Sequence, residues 1–188
     1  IGPIPEQVTA GGRFSQAGGV TVNHVARWDG SAWQPLGTGI VDAYPWPDFI
    51  ISAMTTWDPD GPGPLDTQLV VGGTFSKSLG AVADNIARWD GFAWHALGAG
   101  VSGSVYALTT WDPDGSGPQT EQLVAGGSFT SAGGMPAERI ALWDGFAWET
   151  LSSGMRMDPP NSPAVLELLS WDPDEDGPRS PQLVAGGY

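Results

Sequence analysis

The sequence repeats itself with a period of about 54 residues, and no other feature limits its folds so strongly. A double glycine, a variable residue and Phe recur at Gly11-Gly12-Arg13-Phe14, Gly72-Gly73-Thr74-Phe75 and Gly126-Gly127-Ser128-Phe129, and Gly186-Gly187 returns before Tyr188. Trp-Asp-Gly recurs at Trp28, Trp89 and Trp143, each followed five residues later by Trp33, Trp94 or Trp148. Trp-Asp-Pro-Asp recurs at Trp57, Trp111 and Trp171. Trp57 to Trp111, Gly72 to Gly126 and Trp89 to Trp143 are each 54 residues; Trp28 to Trp89 is 61 and Trp111 to Trp171 is 60. Both excesses fall in one connection of the unit, within Ile40–Phe49 and Met155–Ala164. Insertions confined to a loop leave the packed core of a repeat undisturbed.

Each unit holds four short runs rich in β-branched and aromatic residues. The cleanest copy reads Val105–Trp111, Gln122–Gly127, Arg139–Trp143 and Ala147–Leu151, with Asp-Gly turns at Asp114-Gly115 and Asp144-Gly145. No stretch carries the i, i+3, i+4, i+7 apolar spacing of a helix. With 28 glycines and 17 prolines, the composition suits many short strands and tight turns. The expected class is all-β, and four strands per repeat predict the antiparallel blades of a β-propeller. Naming the strands of a blade A to D, the predicted units are 7–48 (B-C-D), 49–99, 104–154 and 164–188 (A-B). Three to three-and-a-half blades are too few for a ring, since propellers have four to eight. The remaining blades are expected from a longer chain or from another chain.

The double glycine, the Trp-Asp turn and the Trp opening the fourth strand resemble kelch and galactose-oxidase propeller repeats. The run Leu123–Gly134 followed by Arg139–Gly145 looks closer to the propeller repeats of the fungal cortical polarity-marker type, which occur also in large bacterial secreted proteins. The resemblance spans nearly the whole chain and implies a scaffold rather than an activity. It also implies an extracellular, periplasmic or cell-surface location.

Seven Lys and Arg against 21 Asp and Glu give a net charge of −14. Such a chain repels phosphate backbones and anionic membranes, so neither nucleic acid nor membrane is an expected partner. No apolar run reaches the roughly 18 residues of a transmembrane helix. The chain opens on Ile1, which suggests a processed or partial polypeptide. Without cysteine, thiolate chemistry and the Tyr–Cys copper site of galactose oxidase are excluded.

Eleven of the 15 aspartates fall in the A–B and C–D turns, which a blade places on one side of the disc. Asp172-Pro173-Asp174-Glu175-Asp176-Gly177 fits D-x-D-x-D-G, a pattern that converges carboxylates on a hard cation. Asp58, Asp60 and Asp66 form a thinner copy with Pro62 at its fifth place, and Asp112 and Asp114 another with Ser116 there. These turns are similar to the calcium-binding turns of integrin-type propeller repeats, so calcium is the one cofactor to test. The competing reading is a plain β-turn, with Pro fixing φ and Asp capping the backbone. The paired tryptophans either pack between blades or form a carbohydrate platform. Tyr44, Trp46 and Phe49 lie in a proline-stiffened loop outside the repeat and are the expected partner or ligand contacts. His24 and His95 do not occupy equivalent places and supply no triad or metal spacing. The expected function is a non-enzymatic protein-interaction or assembly module, with a lectin-like propeller as the alternative.

Overall fold

Short β-rich runs separated by turn residues should pair locally, each with the next in sequence. The computed structural model describes residues 7–41, 50–78, 81–115, 117–156, 163–174 and 179–188, and these contain strands and no helix. The first sheet holds β1 (Val8–Gly11), then a small hairpin of β2 (Gln16–Ala17) and β3 (Val20–Thr21), then β4 (Val25–Trp28) and β5 (Trp33–Pro35). The second is β6 (Ile50–Trp57), β7 (Gln68–Ser78), β8 (Ala81–Trp89) and β9 (Trp94–Ala96). The third is β10 (Val105–Trp111) and β11 (Gln122–Gly127), the hairpin β12 (Ser131–Ala132) and β13 (Met135–Pro136), then β14 (Ile140–Trp143) and β15 (Trp148–Thr150). The fourth pairs β16 (Val165–Trp171) with β17 (Gln182–Gly187).

The second and third sheets are thus four-stranded antiparallel meanders in chain order. Register repeats as well: Val8, Leu69 and Leu123 stand opposite Trp28, Trp89 and Trp143. No sheet closes on itself among the described residues. The sheets stack, with first strands β6, β10 and β16 side by side.

The stacking makes layered cores. Successive strand residues point to opposite faces. Leu123 and Ala125 therefore join the core against the second sheet, and Val124 joins the core against the fourth; all three are fully buried. A strand buried on both faces reads as an unbroken apolar run, hence Leu-Val-Ala without alternation. Tryptophans pin the layers. Nε1 of Trp57 donates to Glu121 O at 3.0 Å, and that of Trp111 to Pro181 O at 2.9 Å. Trp94 reaches back to Leu36 O at 3.0 Å and Trp148 to Leu97 O at 2.8 Å.

Close approach explains the double glycine. A Cβ on Gly72 would lie 2.5 Å from the Val105 side chain, and one on Gly126 would lie 2.5 Å from that of Val165. The first glycine admits a β-branched residue of the following sheet. The second, Gly73 or Gly127, sits on a carbonyl of its own sheet, Ile50 O or Ser104 O, where the first strand bulges. The third strand starts at Ile140, one residue later than the sequence suggests, because Arg139 has φ +67°. Its equivalents Asn85 and His24 share this left-handed conformation, at +65° and +74°.

Candidate functional site

The acidic turns are built around their own carboxylates. In the C–D turns the Asp of Trp-Asp-Gly accepts backbone N–H groups two and three residues on. Asp29 Oδ1 takes those of Ser31 and Ala32 at 2.9 Å each, and Asp144 Oδ1 those of Phe146 and Ala147 at 2.7 Å. At Asp29 such bonds favour the ionised form. The Ala32 and Ser31 N–H groups, with the Ser31 hydroxyl and Gln34 amide, hold the Asp29 carboxyl well below the usual range. Asp90 is lowered to about 2, first by the Ala93 N–H, then by the Phe92 N–H and by His95, whose Nε2 lies 2.6 Å from Asp90 Oδ2. The five-residue spacing from Asp90 to His95 puts them across one hairpin, where no nucleophile accompanies them among the described contacts.

The A–B turns hold two aspartates each in different states. Asp58, Asp112 and Asp172 use Oδ1 to accept the backbone N–H of Asp60, Asp114 and Asp174 at 3.1–3.3 Å. Asp60, Asp114 and Asp174 use Oδ2 to accept the N–H five residues on, from Leu65, Gln119 and Arg179. Their Oδ1 atoms are buried and have no hydrogen-bond partner among the described residues. Buried orphan oxygens are unusual, because desolvating a carboxylate is expensive. An orphan in the same place in three turns is the donor a hard cation would want. Asp66 is exposed, and no three acidic or histidine side chains among the described residues come together as a metal cage. Asp176 lies outside the described residues, as do Tyr44, Trp46 and Phe49.

The tryptophan pairs meet across their hairpins with ring centroids 5.4–5.6 Å apart. Trp94, Trp143 and Trp148 are buried between sheets, so they offer no open ring face to a sugar. Trp28 and Trp33, on the outer face of the first sheet, are half-buried. Arg88 donates to Gln68 Oε1 at 2.5 Å across the β7–β8 pair. Along the first strands runs a cleft of about 620 Å³ lined by Met54, Tyr106, Leu108, Glu167 and Leu169 among others. Among the described residues, Glu167 is the carboxylate in its lining.

The face that sequence reasoning missed is the outer side of the fourth sheet. Leu169 is 58 % exposed, Trp171 51 % and Val184 45 %, whereas Trp57 and Val124, at the matching places inside the stack, are 3 % and 0 % exposed. Trp171 carries the same motif as Trp57, so the residue itself gives no signal of its surroundings. No protein family, curated protein or solved structure matches this chain.

Proposed function

We propose that this chain is a segment of a kelch-like β-propeller that serves, outside the cytoplasm, as a non-enzymatic protein-interaction and assembly module. One observation carries the reading. The sheet-on-sheet interface recurs three times along the chain, and the outer face of the fourth sheet presents its apolar half again with no sheet upon it among the described residues. A repeated scaffold with an uncovered apolar face on its fourth sheet and a net charge of −14 suits a macromolecular partner that is not itself polyanionic. The extracytoplasmic placement rests on the resemblance of the repeats to those of secreted proteins.

The test is a photo-crosslinking amino acid placed at Leu169, with the exposed Phe92 as the control position. Capture of a polypeptide from position 169 and not from 92 is expected. Equal capture at both, or none, overturns the assembly reading. A lectin-like role is the second reading, favoured by the exposed Trp171 beside the half-buried Trp28 and Trp33 on the other outer face. Retention of the chain on a glycan array, lost in Trp171→Ala, would replace the first reading with this one.

Calcium bound at the A–B turns belongs to the same proposal, supported by the orphan Oδ1 atoms of Asp60, Asp114 and Asp174. Those atoms would ligate the ion, with Asp58, Asp112 and Asp172 shaping the loop. Asp66 and Asp176 complete the ligand candidates from the sequence. The ion would supply charge neutralisation and turn rigidity, not chemistry. Excess calcium should raise the melting temperature and a chelator should lower it. An unchanged melt in both removes the ion.

A further inference from the structure

We propose that the cation sites of consecutive A–B turns are energetically coupled, with the indole of Trp57 as the link between the first turn and the second. The proposal deepens the calcium reading above, and rests on it, by naming how one site regulates the next. The two turns are built alike. Asp60 Oδ2 accepts the Leu65 N–H and Asp114 Oδ2 that of Gln119, both at 3.2 Å, while each Oδ1 is buried without a partner among the described residues. The N–H groups of Gly63 and Gly117 close the turns on Asp60 O and Asp114 O at 3.2 and 3.3 Å. A Cβ at either glycine would collide with the carboxylate folded over it, so each loop is shaped around its second aspartate.

The turns also touch. Trp57 ends β6 and opens the first turn, and its Nε1 donates at 3.0 Å to the carbonyl of Glu121, the residue that closes the second turn before β11. The ring is 3 % exposed. A Cβ on Gly61 would lie 3.9 Å from Thr120 Cγ2, and one on Gly145, in the neighbouring C–D turn, would lie 4.0 Å from the Trp57 ring. The arrangement recurs one sheet on, where Trp111 donates to Pro181 O at 2.9 Å and a Cβ on Gly115 would lie 3.4 Å from Pro181. A cation on Asp114 fixes the second turn, and with it the carbonyl and the methyl that seat Trp57 and Gly61. The first turn then has less freedom left to lose when it takes its own ion. Two dications repel, but packed sheets lie about 10 Å apart and the screening length is about 8 Å at physiological salt. Asp112, Asp114 and Glu121 also set three negative charges against the two of the ion. With repulsion damped, ordering sets the sign, and the coupling is positive in both directions.

The test titrates calcium alone into the whole 188-residue chain carrying Asp174→Asn, which silences the third turn, and reads uptake by calorimetry. Two ions bound with a Hill coefficient above 1 are expected. Adding Trp57→Phe should bring the coefficient to about 1 and weaken uptake about fivefold or more. Trp94→Phe removes a pin that reaches Leu36 O instead of an A–B turn, and should leave the coefficient unchanged. A second readout keeps Trp57 intact: in an Asp60→Asn chain, calcium at the second turn should raise the hydrogen-exchange protection of the Trp57 indole N–H. A coefficient of 1 or less before Trp57 is changed, equal loss of cooperativity in Trp94→Phe, or an indole N–H that calcium does not protect would each overturn the coupling and leave the calcium reading standing. No calcium uptake by the unsubstituted chain removes both.

Discussion

β11 and β17 have the same six residues and opposite surroundings. β11 lies between a first and a third strand, with sheets on both faces, and five of its six residues are buried. β17 has one strand neighbour among the described residues, and four of its six residues are exposed. Val124 is fully buried and Val184 is 45 % exposed. The apolar run therefore encodes readiness to be covered on both sides, and the neighbouring sheets decide whether it is. The glycines sharpen the point. Gly126 is crowded by Val165, whereas among the described residues the nearest side-chain atom to a Cβ on Gly186 is Glu167 Cβ at 4.0 Å.

The largest expected effect is at the pinning tryptophans. Trp57→Ala should cost about 3–5 kcal/mol in a urea melt, from lost burial and an orphaned contact layer, while Trp171→Ala should cost under about 1 kcal/mol. Equal costs would mean that the fourth sheet is covered in solution. Next comes the glycine pair. Gly126→Val should destabilise by about 1–3 kcal/mol through overpacking against Val165 and Leu168. Gly186→Val should change stability by less than about 0.5 kcal/mol. A neutral Gly126→Val would break the account of the double glycine. Smaller again is Asp144→Ala, expected to cost about 1 kcal/mol by unpairing the turn N–H groups of Phe146 and Ala147.

The smallest effect is a pH dependence confined to the first sheet. Burial first, then the charge of Arg13, lowers the His24 pKa, outweighing the Gly12 carbonyl that raises it. A histidine depressed in the folded state binds its proton more readily when unfolded. Its contribution is thus fully present above the ordinary value near 6.5 and declines as pH falls below it. Protection factors of the β1 and β4 amides, normalised to intrinsic exchange at each pH, should fall between about pH 7 and 5, and His24→Arg, matching Arg139 in the third sheet, should flatten that slope. Protection factors that stay level would sink the assignment.

The strands were legible where chemistry repeats. Val105–Trp111 and Gln122–Gly127 have the bounds their β-rich runs suggest. Arg139 was misplaced into a strand because its left-handed backbone follows from the turn around it, and no glycine marks it. The Asp-rich turns were legible as turns. Their division into a committed first aspartate and an orphaned second one was not, because it depends on where each backbone N–H ends up.

The repeat, the four-strand unit, the double glycines and the places of the tryptophans are legible in the residues alone, since these are local patterns of period, size and turn chemistry. Which tryptophan is a buried pin and which an open surface follows from the stacking of the sheets. Burial is a property of neighbours, and identical segments such as β11 and β17 carry no record of theirs.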